Sequence, residues 1–92
     1  MAVQLDPKPA DGPLNGSAPF ALIDVTTTRG GTIVAVITEP GKPTVEVLRG
    51  TLLPGRNRQR IVLPRRLPAG AKLQVLINEA GSPSQLVTYQ FA

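Results

Sequence analysis

Residues 32–43, Thr32-Ile33-Val34-Ala35-Val36-Ile37-Thr38 followed by Glu39-Pro40-Gly41-Lys42-Pro43, decide the fold class of this chain. Side chains of a strand alternate between two faces, so Ile33, Ala35 and Ile37 share one side and Val34 and Val36 the other. Both sides are apolar, which predicts a central strand covered on both faces. Pro40, Gly41 and Pro43 then break the strand, because proline withholds an N–H and glycine supplies turn geometry.

The same grammar extends in both directions. Upstream, residues 20–28 are rich in Val, Ile and Thr, and Arg29-Gly30-Gly31 follows them. Adjacent glycines predict a tight hairpin turn leading into residues 32–38. Downstream, residues 44–49 alternate with Val45 and Val47 inward, Gly50 marks a bulge or break, and Leu52-Leu53-Pro54-Gly55 turns the chain. Residues 58–63 place Gln59, Ile61 and Leu63 on one face and Arg58, Arg60 and Val62 on the other. After the Leu67-Pro68-Ala69-Gly70 turn, residues 71–78 carry Leu73, Val75 and Ile77 inward. Residues 85–91 do the same with Val87, Tyr89 and Phe91. No segment offers ten residues of helical periodicity free of Gly and Pro. The expected core is Ile33, Ile37, Val45, Val47, Ile61, Leu63, Leu73, Val75, Ile77, Val87, Tyr89 and Phe91.

One internal echo stands out. Ile37-Thr38-Glu39-Pro40-Gly41-Lys42-Pro43 and Ile77-Asn78-Glu79-Ala80-Gly81-Ser82-Pro83 share Ile, Glu, Gly and Pro at identical spacing, 40 residues apart. Two hairpins that each need a Gly in the turn and a Pro before the next strand account for it. Residues 1–19 differ from the rest. Pro7, Pro9, Pro13 and Pro19, with Gly12 and Gly16, predict an extended N-terminal arm, and residues 20–92 form the domain proper.

Six or seven short strands at this spacing predict an all-β fold, a small antiparallel β-sandwich preceded by the Pro/Gly-rich arm. From Gly50 onward, Leu53-Pro54-Gly55, Ile61-Val62-Leu63-Pro64, Leu67-Pro68-Ala69-Gly70 and Leu73-Gln74-Val75-Leu76-Ile77 resemble the second half of bacterial immunoglobulin-like or fibronectin III-like modules. The resemblance covers nearly half the chain and implies an Ig-like sandwich. The core Trp and paired Cys of true immunoglobulin domains are absent, and the resemblance transfers no binding residue.

Composition removes most chemistry. The chain has no Cys and no His, which excludes disulfides, thiolate nucleophiles, imidazole acid–base catalysis and the usual zinc sites. The carboxylates Asp6, Asp11, Asp24, Glu39, Glu46 and Glu79 are scattered over arm, turns and separate strands. Asp24 lies within an apolar run, which fits a strand-edge or turn contact rather than catalysis. Ser17, Ser82 and Ser84 have no His to activate them. No catalytic residue, cofactor site or metal site is expected, and the reading is of a protein that is not an enzyme.

Charge is more informative than chemistry. Between Arg49 and Lys72 lie seven basic residues, Arg49, Arg56, Arg58, Arg60, Arg65, Arg66 and Lys72, with no acid among them, although the net charge is only +4. If the strand begins at Arg56, the spacing of two puts Arg56, Arg58 and Arg60 on one face. Arginine suits bidentate contact with carboxylate or phosphate. Three explanations compete: a solvated face that discourages edge aggregation, a docking surface for an acidic protein, and a polyanion site. No aromatic residue lies among the arginines in sequence, so single-strand base stacking is not expected.

These features predict a non-catalytic structural or docking protein that attaches to a larger assembly, most concretely a virion capsid decoration (cement) protein in several symmetric copies. The alternatives are an Ig-like accessory domain of a secreted or surface protein, serving adhesion or carbohydrate binding, and a polyanion-binding protein. The expected partner is an acidic protein surface or capsid-like assembly. Homo-oligomers are open, nucleic acid ranks lower and no membrane is involved. With no signal peptide at Met1, synthesis in the cytoplasm and residence in a virion are expected, or secretion if the chain is a domain of a longer protein.

Overall fold

The computed structural model describes residues 2–6, 20–63 and 66–91, the first stretch as backbone. They form seven strands and no helix: β1 Ala2–Asp6, β2 Phe20–Thr27, β3 Gly31–Thr38, β4 Val45–Leu52, β5 Gly55–Val62, β6 Lys72–Glu79 and β7 Gln85–Gln90. Two antiparallel sheets pack together, one ordered β1-β2-β5 and the other β4-β3-β6-β7. β3 is a central strand of its sheet, with Ile33, Ala35 and Ile37 in the core. Val34 and Val36, expected to be covered as well, lie on the outer face and are only half-buried, because a two-layer sandwich covers one face of each sheet. The core between the sheets is aliphatic: Ile23, Val25 and Ile61 from one side meet Ile33, Ala35, Ile37, Leu73, Val75 and Ile77 from the other.

Several expectations change. Gly30-Gly31 does not turn a hairpin, because β2 and β3 lie in different sheets. The glycines instead let the chain cross between layers where backbones crowd. A Cβ on Gly31 would stand 1.9 Å from the Asn78 carbonyl oxygen, and one on Gly30 2.6 Å from that of Leu52. Gly30 also has φ +78° and its carbonyl accepts from Ala80 N–H at 3.0 Å. Gly50 is regular strand. The bulge falls at Val47, where Ala35 pairs with Leu48 but Val36 pairs with Glu46. That extra residue reverses the alternation beyond Val47, so Leu48 and Leu52 point to the core side and Leu52 is buried, while Val47 is only half-buried. Val45, opposite Ile37 on the core side, is exposed because it begins an edge strand. Val87 and Tyr89 are half-buried because β7 is an edge strand. Leu67 and Ala71, read as turn and strand start, are buried core residues.

Within the stretch expected to be an arm, residues 2–6 pair with β2 from Ala2↔Thr26 to Asp6↔Leu22. This short piece is free of Pro and Gly, which the composition of residues 1–19 as a whole obscures. Residues 7–19 lie outside the described residues.

The sequence echo has a geometric counterpart. Both motifs close true hairpins, β3–β4 and β6–β7, with Lys42 N–H donating to Glu39 O and Ser82 N–H to Glu79 O at 3.2 and 3.1 Å. Gly41 and Gly81 have φ of 74° and 79°. β3 pairs with β6 so that Ala35 faces Val75, residues separated by the same 40 positions as the motifs. A local two-fold through that pair superposes the hairpin registers: Val36↔Glu46 matches Leu76↔Leu86, and Ile37↔Val45 matches Ile77↔Gln85. The equivalence ends at the Val47 bulge, since no register shift interrupts β6–β7.

One end of the sandwich is tied by buried polar side chains. Asn57 accepts from Leu53 N–H at 2.9 Å and donates to the carbonyls of Leu53, Gly55 and Val25 at 2.9, 3.2 and 3.3 Å. Thr27 Oγ1 donates to Leu53 O and accepts from Gly30 N–H. Glu79 accepts from Thr28 N–H at 2.7 Å. Together they fasten the β2–β3 and β4–β5 crossovers and the β6–β7 hairpin.

Candidate functional site

β5 runs along one edge of the three-stranded sheet, and its alternation sends Asn57 and Ile61 into the core and Arg56, Arg58 and Arg60 outward. The strand starts at Gly55, so the spacing of two does place the three guanidiniums on one face. Antiparallel pairing with β2 sets Arg56 against Thr26, Arg58 against Asp24 and Arg60 against Leu22.

Asp24 organises this row. Its Oδ1 accepts from Arg58 Nε at 3.0 Å, and its Oδ2 accepts from Arg58 Nη2 at 3.2 Å and from Arg56 Nη2 at 3.0 Å. The Asp24 side chain is 13% exposed, against 67% for Arg56 and 49% for Arg58. The hydrogen bonds from Arg58 and then Arg56 hold its carboxyl down to about pKa 2, against a smaller opposing effect of desolvation. Asp24 is thus a fixed carboxylate that orients two arginines, rather than the strand-edge or turn contact suggested by its apolar neighbours.

Arg60 lies over the Phe20 ring, 4.5 Å from its centroid. An aromatic residue does therefore join the arginines, contrary to the sequence expectation, because β2–β5 pairing closes a separation of 40 residues. Phe20, Leu22 and the exposed Val62 give this end of the face an apolar border. Three guanidinium charges against one carboxylate leave the described side chains of the face with an excess of two positive charges.

The other basic residues are not part of this row. Arg49 lies on β4 in the second sheet, where its Nε donates to Glu46 Oε1 at 2.8 Å; that bond lowers the pKa of Glu46 and raises that of Arg49. Lys72 begins β6 in the same sheet, and Arg66 is exposed on the β5–β6 connection. Arg65 lies outside the described residues. The continuous basic run is thus divided by the passage of the chain from one sheet to the other. Asp24 and Phe20 were not legible as partners because only strand pairing brings them to β5.

No helix among the described residues is long and apolar enough to cross a membrane. Compared with known proteins, the chain matches no family model, no curated sequence and no solved structure. The geometry of the face therefore carries the functional reading.

Proposed function

We propose that this chain is a non-catalytic docking module that presents the Arg56–Arg58–Arg60 face to an acidic protein surface of a larger assembly. Its most concrete form is decoration of a capsid-like particle. The observation that supports this reading is the pre-organised row of guanidiniums. Asp24 orients Arg56 and Arg58 on a rigid strand and Phe20 supports Arg60, so less side-chain entropy is lost when a carboxylate binds. A sheet face is also a flat surface, suited to a broad partner rather than a small molecule.

In a constant-type immunoglobulin sandwich the first, second, fourth and fifth strands share a sheet. Here the fourth strand lies with the third, sixth and seventh, an arrangement that supports a fibronectin III-like module. Such modules commonly serve as binding units.

The test uses poly-glutamate and a DNA duplex as defined acidic probes, titrated onto the full chain from about 50 to about 300 mM salt. We expect poly-glutamate to bind, to weaken as salt rises, and to lose most affinity in the Arg58→Ala/Arg60→Ala double variant. Unchanged binding by the double variant refutes the proposal. Stronger retention of the duplex than of poly-glutamate transfers the face to a polyanion site.

A further inference from the structure

The two sheets leave four edge strands: β1 and β5 in one, β4 and β7 in the other. An edge strand presents unpaired N–H and C=O groups, and proteins usually guard it with charge, proline or a bulge. β5 carries three arginines, β1 carries Asp6, and β4 carries the Glu46–Arg49 pair together with the Val47 bulge. β7, Gln85-Leu86-Val87-Thr88-Tyr89-Gln90, has no charge, no proline, no glycine and no register shift.

The local two-fold supplies an internal control for this difference. β4 and β7 are equivalent edges of one sheet, and the position held by Glu46 on β4 is held on β7 by Leu86, which is 58% exposed. One edge is guarded by charge and bulge, and its counterpart is unpaired among the described residues. The inward residues of β7 show the same incompleteness: Val87 and Tyr89 face the core side but stay only half-buried.

We propose that β7 is a self-association edge, occupied by β7 of a second copy of this chain in antiparallel register. Charge points to a second copy. Two molecules of net charge +4 repel, and β7 is the edge strand that carries no charged side chain, so its pairing brings no like charges of the two copies together. A two-fold at Thr88 sets Thr88 opposite Thr88 of the second copy, Leu86 opposite Gln90, and Val87 opposite Tyr89. Directly opposed residues of an antiparallel pair point to the same side of the sheet, so Val87 and Tyr89 cover each other twice on the core side. The result is one continuous eight-stranded sheet through an isologous contact. A single edge pair buries less than the about 1,200 Å² of stable interfaces, so the dimer dissociates on dilution. This inference is independent of the arginine face, which lies on the other sheet.

Sedimentation of the full chain from about 5 µM to about 1 mM tests it. The expected result is a reversible monomer–dimer equilibrium. Thr88→Lys and Thr88→Glu, at an exposed position, should each raise the dissociation constant by about tenfold or more, because like charges then meet at the two-fold. An equimolar mixture of the two variants should restore the dimer, which a folding defect could not do. Thr51→Lys, the same charge on the exposed face of β4, should leave the equilibrium unchanged. A wild-type chain that stays monomeric at about 1 mM overturns the proposal. So does a Thr88→Lys chain that dimerises like wild type, or a mixture that fails to recover.

Discussion

Asn57→Ala removes the polar side chain that ties the β4–β5 crossover to β2 at one end of the sandwich. Asn57 makes four hydrogen bonds, two at 2.9 Å and two longer, and is 8% exposed. A hydrogen bond contributes roughly 0.5–1.5 kcal/mol net, and a buried partner left unmade costs about 1–3 kcal/mol. The two short bonds go to Leu53 N–H and C=O. Thr27 still serves that carbonyl, so the Leu53 N–H is the group most exposed to loss. Summing the two short bonds and a fraction of the long ones gives a cost of about 2–4 kcal/mol. At about 4–8 °C per kcal/mol for a domain of this size, the melting temperature should fall by roughly 8–32 °C. Thermal melts followed by far-ultraviolet circular dichroism measure that shift, and urea unfolding measures the free energy. Asn57→Asp sharpens the test. The introduced carboxylate faces three carbonyls, so its folded pKa is raised above its unfolded value and its ionised form is disfavoured. Relative to wild type at the same pH, this variant should therefore be least stable at pH 7 and recover as pH falls toward 4. An alanine variant within about 0.5 kcal/mol of wild type, or an aspartate variant indifferent to pH, would show that Asn57 is not the tie described.

The Asp24 carboxyl should titrate near pH 2 by NMR, below its ordinary 3.8, and Arg58→Ala should move that midpoint upward. Because the folded pKa is depressed, the ion pairs contribute above pH 3.8 and lose that contribution as pH falls toward 2. The stability difference between wild type and Arg58→Ala should thus shrink over that interval and vanish below pH 2, and a difference that keeps its neutral-pH size at pH 2 contradicts the assignment. Gly31→Ala should cost at least about 3 kcal/mol or prevent folding, since its Cβ meets the Asn78 carbonyl. Gly50→Ala, whose Cβ would make ordinary contact with Ile33, should change stability by less than about 1 kcal/mol; similar costs for the two would refute the crowded crossover. Deleting residues 1–6 strips β1 from β2 and should lower the melting temperature by about 4–8 °C, the effect of about 1 kcal/mol. An unchanged value would mean these residues behave as a dispensable arm.

Strand content, the centrality of β3, the two hairpins of the repeated motif and the common face of Arg56, Arg58 and Arg60 were all legible in the sequence. Each depends on local rules: period-two alternation, turn chemistry at Gly41 and Gly81, and spacing along one strand. Which sheet a strand joins is not local. Gly30-Gly31 is as compatible with a hairpin as with a crossover, and only packing against Asn78 and Leu52 selects the crossover. The Val47 bulge reversed the faces of β4 because one extra residue shifts every later side chain, and no residue type in β4 announces it. The candidate site divides in the same way. The sequence placed three arginines in a row, whereas the carboxylate and ring that position them lie on β2, more than 30 residues away, and meet β5 only through antiparallel register. Periodicity along the chain determines which side chains share a face, but the partner across the sheet is chosen by the global packing of two layers.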